Sequence, residues 1–170
     1  GQLPGKLAAA SVDYHLGVIA GECMPASGKL HGPWVGAFDP NAPQKFREAL
    51  SSDWNNGDHE CLPAPLLAAL SPERVTGENA GFLRSFTPLE VIFVSDMDED
   101  WLGLPVPLLA AKLRAKVPEV RVSAIDNFGA CPGAVDLTHL ASIVSTLGGD
   151  AYPLCASDWS PLLDALVTRV

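Results

Sequence analysis

The stretch that decides the fold is a run of apolar residues that ends abruptly in acids: Glu90-Val91-Ile92-Phe93-Val94-Ser95-Asp96-Met97-Asp98-Glu99-Asp100. An apolar run bounded by polar residues is typical of a strand that is buried on both faces of a sheet. In open α/β sheets, ligands bind outside the carboxyl ends of the strands. The crowded carboxylates therefore favour one of two roles, either as oxygen ligands of a hard cation or as a solvated turn that caps the next helix.

The segments around this strand alternate between strand and helix. Sequence patterns predict strands at 12–21, 34–38, 90–95, 120–125 and 151–155, and helices at 2–11, 42–50, 62–70, 105–117, 136–147 and 159–170, with mostly loop over 76–88. Pro153 marks the last strand as an edge, Gly148-Gly149 ends the helix before it, and Asp158 caps the final helix. This order predicts one doubly wound α/β domain over residues 1–170, with a mainly parallel sheet and helices on both faces.

The composition argues against two classes of partner. The 170 residues include 20 acidic and 11 basic side chains, which give a formal net charge of −9, and the basic residues are scattered. Nucleic acid and anionic membrane surfaces are therefore poor partners. No stretch approaches the roughly 20 apolar residues of a membrane span.

Four cysteines, Cys23, Cys61, Cys131 and Cys155, are widely spaced and form no Cys-x-x-Cys pair. This spacing argues against a zinc knuckle or a thioredoxin-like redox site. Two alternatives remain, namely two structural disulfides in an oxidising compartment or buried free thiols in a cytosolic protein. We expect the first alternative, and with it a secreted, periplasmic or cell-surface location.

Several segments, taken in order, resemble the von Willebrand factor A-like domains of bacterial secreted and surface proteins. They are Val12-Asp13-Tyr14-His15-Leu16-Gly17-Val18, Asn79-Ala80-Gly81-Phe82-Leu83-Arg84, residues 91–100, Val122-Ser123-Ala124-Ile125 and, from Cys131 onward, Leu140-Ala141, Gly148-Gly149 and Cys155-Ala156-Ser157-Asp158-Trp159. The resemblance covers most of the chain and implies the same doubly wound fold.

The resemblance also implies a metal-ion-dependent adhesion site, which binds Mg²⁺ or Ca²⁺ at the carboxyl end of the sheet. Asp96 matches the family's Asp after the fourth strand, Asp98 follows it, and Glu60 lies nearest the expected place of a loop ligand. The family's main motif, Asp-x-Ser-x-Ser after the first strand, does not occur in this sequence. We therefore expect a degenerate site that binds a cation weakly.

The resemblance further implies that the first strand of the sheet, which is central in this family, is missing from a chain that begins in the following helix. Its two neighbours would then have unpaired backbone groups. We expect that a separate chain supplies this strand or that the sequence is incomplete at its N-terminus, rather than that the sheet closes without it. The start at Gly1, without Met, also suggests a processed or trimmed product.

The resemblance implies a disulfide between Cys131 and Cys155, which leaves Cys23 and Cys61 to pair with each other. Trp34 and Trp101 are candidates for contact with a partner, although such tryptophans also cover cores. The function that we expect is that of a non-enzymatic protein-binding or structural module in an extracellular or envelope assembly.

A Mg²⁺-dependent phosphatase of the haloacid-dehalogenase type is the alternative. An apolar strand followed by Asp96-Met97-Asp98 is similar to the start of that family, in which the first Asp is the nucleophile and the second the acid/base. This chain departs from the pattern at Asp100, where the family has Thr or Val. The family's later Lys also lacks a clear match, because Lys112 and Lys116 fall within a predicted helix.

Overall fold

A computed structural model describes residues 2–21, 28–51, 61–95, 104–126, 131 and 138–169 of the chain. Along the sequence they form α1 (Gln2–Ala9), β1 (His15–Leu16), β2 (Val35–Gly36), α2 (Ala42–Ser51), α3 (Pro63–Ala69), α4 (Pro72–Thr76), β3 (Leu89–Val94), α5 (Val106–Lys116), β4 (Val120–Asp126), α6 (Thr138–Leu147), β5 (Ala151–Pro153) and α7 (Ser160–Arg169). Within these ranges, no helix has the length and apolar character that crossing a bilayer requires.

A parallel sheet with the strand order β3-β4-β5 forms the centre of the structure. The register places Val91 beside Val122 and Phe93 beside Ala124. Six of the seven residues of β4 are buried, as a strand covered on both faces requires. The predicted mixed α/β class with a parallel sheet is therefore confirmed.

Helices cover both faces of this sheet. Successive side chains of a strand point to opposite faces, so that β4 contributes to two separate clusters. On one face the main core contains Val122 and Ala124 of β4, Leu109 and Leu113 of α5, and Leu140 and Ile143 of α6. On the other face, Ile125 packs against Leu162 and Leu166 of α7.

Most of the features that the sequence predicts at the ends of helices and strands are present. Asp158 Oδ1 accepts a hydrogen bond of 2.9 Å from Ser160 N at the start of α7. Gly148 follows α6 with a φ of 74°, and β5 is an edge strand that ends at Pro153. The five-residue helix α4 was not predicted, because it is too short to show an apolar period. Its start signal is Ser71, whose Oγ accepts from Arg74 N at 3.3 Å.

A second sheet of two short strands lies apart from the parallel sheet. β1 pairs antiparallel with β2, and an isolated bridge joins Ile19 to Leu30. The strand predicted over 12–21 is therefore shorter than expected, and the described residues do not include it in the main sheet. Gly17 lies within this segment, where an added Cβ would come within 2.7 Å of Leu30 Cδ2.

The two sheets share a core through α1. Leu3 and Leu7 of α1 form a buried cluster with Tyr14, and partly buried Leu16 of β1 and Ile92 of β3 pack against it. No backbone hydrogen bond between described residues joins β1 to β3. The contact between the two sheets is therefore made by side chains.

Candidate functional site

Five of the predicted site residues lie outside the described residues, namely Asp96, Asp98, Glu60, Trp101 and Cys23. The structure does describe the strand end that leads to Asp96. Ser95 is buried, and its amide donates to Ile125 O at 3.1 Å. Among the described residues, no group of three or more His, Cys, Asp or Glu side chains is arranged to hold a metal ion.

Asp126 is a residue at this sheet edge that sequence reasoning missed. It is the last residue of β4 and is fully buried, one strand away from Ser95. The missed signal is its position, because an acid that directly follows the run 120–125 lies at the carboxyl edge, where α/β sheets bind ligands. The sequence could not show that this carboxyl group would be buried.

The cysteines confirm one predicted bridge. Cys131 and Cys155 form a disulfide with a Cα–Cα distance of 5.6 Å. The amide of Cys155 also donates to Cys131 Sγ at 3.1 Å. Cys155 lies two residues after the end of β5, so the bridge is attached just beyond this strand. Cys61 is disulfide-bonded as well. Its predicted partner, Cys23, lies outside the described residues.

Trp34 lies in a hollow rather than in the core. Its ring stacks on the ring of His15 with a centroid distance of 3.9 Å and an interplanar angle of 21°. The hollow, which we call the aromatic hollow, has a volume of about 400 Å³ and is lined by Asp13, Tyr14, His15, Trp34, Gly36, Ala37, Phe38 and Asp39. Its walls come from β1, β2 and the turn after β2.

A third segment, the turn 79–84, fixes the two stacked rings. Trp34 Nε1 donates to Ala80 O at 3.3 Å, and His15 Nδ1 lies 2.8 Å from Phe82 O. Because a carbonyl oxygen can only accept, Nδ1 of His15 is the donor of this hydrogen bond and carries a proton. Arg84 completes the attachment by donating to the carboxylate of Asp13 at 2.6 Å and to its carbonyl at 2.8 Å.

Both carboxylates in the lining of the aromatic hollow, Asp13 and Asp39, are paired with cations, Arg84 and Lys45. The hydrogen bond from Lys45, with a further one from the amide of Asn41, holds the pKa of Asp39 below its usual value. Burial, and secondarily the charge of Asp39, raises the pKa of Tyr14 above its usual value. At neutral pH the hollow therefore contains a carboxylate that is ion-paired with Lys45 and a neutral phenol.

Two phenylalanines, of which Phe38 lines the aromatic hollow, are almost fully exposed. Phe38, in its lining, is 93% exposed, and Phe86 is as exposed as a free side chain. Phe86 also has a φ of 61°, a left-handed conformation that is rare for a bulky residue. It follows Arg84, which binds Asp13, by two positions. Neither ring covers the core, and the lining of the aromatic hollow therefore includes an exposed aromatic side chain, Phe38, together with Trp34.

No known protein family matches this sequence, and no curated protein matches it either.

Proposed function

We propose that this chain is a non-enzymatic protein-binding module of an extracellular or envelope assembly. The observation that carries the proposal is the exposed side chain of Phe38 in the lining of the aromatic hollow. Aromatic residues are enriched at protein interfaces, where they bury a large area at a small cost in side-chain entropy. Exposure of a Phe ring to water is unfavourable, so burial of the ring against a partner would stabilise the complex.

The exposure of Phe38 in the lining of the aromatic hollow favours a protein partner rather than a small substrate. A Phe ring that projects 93% of its surface into solvent presents an anchor for another surface, not the wall of an enclosed cavity. Asp13 and Asp39 line the same hollow, and the chain as a whole has a net charge of −9. Both carboxylates are ion-paired within the chain, Asp13 with Arg84 and Asp39 with Lys45. The aromatic side chains of the hollow therefore favour an apolar partner segment, and the net charge of the chain favours basic residues around that segment.

The disulfides support the proposed location. Cys131–Cys155 is a bridge, and Cys61 is in a bridge too. Disulfides persist in oxidising compartments and are rare in a reducing cytosol. A secreted, periplasmic or cell-surface module is therefore the proposal that fits them.

A weakly held Mg²⁺ or Ca²⁺ ion is a second part of the proposal. Asp96 directly follows buried Ser95 at the carboxyl edge of the sheet, and buried Asp126 ends the next strand. Asp96 and Asp98, with Glu60, would supply the carboxylate oxygens that these ions prefer. The ion would add positive charge that a carboxylate of the partner could complete.

Selection of peptides from a displayed library tests the proposal, because such a library samples many partner sequences at once. We expect selected peptides to bind the wild type and to lose at least tenfold in affinity on Phe38→Ala, measured by calorimetric titration. Leu108→Ala removes another exposed apolar side chain, 48% exposed on α5, and should leave the affinity unchanged. Peptides that bind equally well to Phe38→Ala and to the wild type would refute the role of this surface.

A further inference from the structure

We infer that the free edge of β3 accepts an extended, apolar strand from a separate polypeptide. This edge is distinct from the aromatic hollow, and the inference does not depend on the binding role proposed for it. The edge consists of the backbone N–H and C=O groups of Glu90, Ile92 and Val94, and we call it the open edge.

The hydrogen bonds between β3 and β4 show which backbone groups form the open edge. Leu89 N donates to Glu119 O at 2.9 Å, and Ser95 N donates to Ile125 O at 3.1 Å. In a parallel ladder every second residue faces the same neighbour, so the odd-numbered residues 89–95 face β4. Glu90, Ile92 and Val94 direct their N–H and C=O groups to the other side, where no backbone group of a described residue bonds them.

The composition of β3 does not match its burial. Its sequence is the apolar run of a central strand, but only Phe93 of its six residues is buried, and Val94 is 52% exposed. The neighbouring strand β4 is buried at six of seven positions. A strand added at the open edge would cover the apolar side chains of β3 and pair its free backbone groups.

The two edges of the sheet differ in how well they are protected against pairing with another strand. β5 is three residues long and contains Pro153, two features that discourage further pairing. β3 is twice as long and has no Pro or Lys. Its one charged side chain, Glu90, is only 13% exposed and lies 3.6 Å from Arg169 of α7, so it does not guard the edge.

The chemistry of the added strand follows from the two faces of β3. Ile92 contacts the cluster of α1, and Phe93 belongs to the main core on the opposite face. A strand beside them therefore needs apolar side chains on both faces. A second copy of this chain is a poor occupant, because two molecules of charge −9 repel one another. The occupant is instead a strand of another polypeptide, with neutral or basic flanks.

Amide hydrogen exchange with a peptide probe tests the inference. The probe is a short peptide of Val and Ile with two Lys residues at each end. In the protein alone, we expect the amides of Glu90, Ile92 and Val94 to exchange fast and those of Val91 and Phe93 to exchange slowly. A saturating concentration of the probe should slow exchange of the amides of Glu90, Ile92 and Val94 at least tenfold. The substitution Phe38→Ala in the aromatic hollow should leave this protection unchanged.

Three variants of Val94, one of them a control, separate strand pairing from nonspecific binding of the probe. Val94→Lys puts a charge at the exposed end of the open edge. Val94→Pro removes an N–H group that points away from β4, so it breaks no bond to β4. Each substitution should lower the affinity for the probe at least tenfold. Val94→Ala keeps the amide and should bind within about twofold of the wild type. Circular dichroism establishes that each variant is folded.

Four results would overturn the inference. The amides of Glu90, Ile92 and Val94 could already exchange slowly in dilute protein, which would mean that the edge is covered by the chain itself. Their protection could rise with protein concentration alone, together with dimerisation in sedimentation, which would make a second copy the occupant. The probe could also bind without protecting them, or bind Val94→Lys as well as the wild type.

Discussion

The side-chain amide of Asn79 donates a hydrogen bond of 2.7 Å to the carbonyl oxygen of Gly28, 51 residues earlier in the chain. The same nitrogen donates to Ala69 O at 3.2 Å, and the side-chain oxygen accepts from Leu30 N at 3.0 Å. Asn79 is 2% exposed. One buried side chain therefore joins the segment 28–30, the end of α3 and the turn 79–84 that holds Trp34 and His15.

Asn79→Ala is expected to destabilise the protein by about 3 kcal/mol or more, since it leaves three buried backbone groups without their partner. For a chain of this size that corresponds to a fall of roughly 10 °C in melting temperature, measurable by calorimetry. Asn79→Asp keeps the acceptor for Leu30 N but loses both donated bonds, so it should also be destabilised at neutral pH. A loss below about 0.5 kcal/mol in Asn79→Ala would contradict this role.

The double substitution Cys131→Ser and Cys155→Ser is expected to cost about 3 kcal/mol. The bridge closes a loop with a sequence separation of 24, and the chain-entropy model gives this magnitude for such a loop. Urea denaturation of the oxidised wild type and of the double variant measures the difference. Treatment of the double variant with a reductant serves as a control, because it should then affect only the bridge that contains Cys61.

The parallel part of the fold could be predicted from the sequence because its signals are local. The apolar runs at 90–95 and 120–125, the stop at Gly148 and the cap at Asp158 each lie within a few residues of the structure that they specify. The length of β1 could not be predicted in this way. It depends on tertiary structure, since β1 pairs with β2 at only two residue pairs and the next residue, Gly17, lies so close to Leu30 and Phe82 that an added Cβ would approach both.

The candidate site could be predicted only in part. Trp34 was a candidate contact residue, but the aromatic hollow is assembled from β1, β2 and the turn 79–84. Nothing in the sequence near Trp34 indicates that His15 stacks on it, since their approach follows from the antiparallel register of β1 and β2. The exposure of Phe38 is likewise a tertiary property, which a hydrophobic residue type does not signal.

Glu90→Gln is expected to stabilise the protein at neutral pH, on the order of 1 kcal/mol. Burial raises the pKa of Glu90 above its usual value of 4.5, and the charges of Arg169 and Arg121 offset only part of this effect. A raised pKa in the folded state means that the stabilisation by the neutral form is complete below about pH 4.5 and is lost as the pH rises through the folded-state pKa.

The gain from Glu90→Gln should therefore be present at neutral pH and vanish near pH 4, where the wild-type carboxyl group is also neutral. Arg169 keeps an ion pair with Asp150 in the variant, so the substitution does not leave it without a counter-charge. Urea denaturation of both proteins at the two pH values measures the difference. Equal stabilities at neutral pH would show that Arg169 and Arg121 fully compensate for burial.

Asp96→Ala is expected to abolish the binding of Mg²⁺ and Ca²⁺, which in the wild type should be weak, with a Kd on the order of 10⁻⁴ to 10⁻³ M. Calorimetric titration measures both ions. Glu119→Ala is the matched control, because Glu119 is an exposed acid before β4, at the amino edge of the sheet. If the wild type binds neither ion, the cation has no place in the proposal. Turnover of an aryl phosphate that is lost in Asp96→Asn would instead favour the phosphatase.

Gly149→Ala is expected to cost far more stability than Gly148→Ala, although only Gly148 has a positive φ. A Cβ at Gly149 would lie 1.9 Å from Val122 O of the central strand, so the backbone of β4 or the connection to β5 must move. A Cβ at Gly148 meets nothing within 4 Å and adds only the strain of a left-handed residue, about 1 kcal/mol. We expect a loss above about 3 kcal/mol for Gly149→Ala. Urea denaturation measures the loss of stability in each variant. A larger loss for Gly148→Ala would mean that the positive φ of Gly148, and not the close approach of Gly149 to β4, is the main reason for glycine at these two positions.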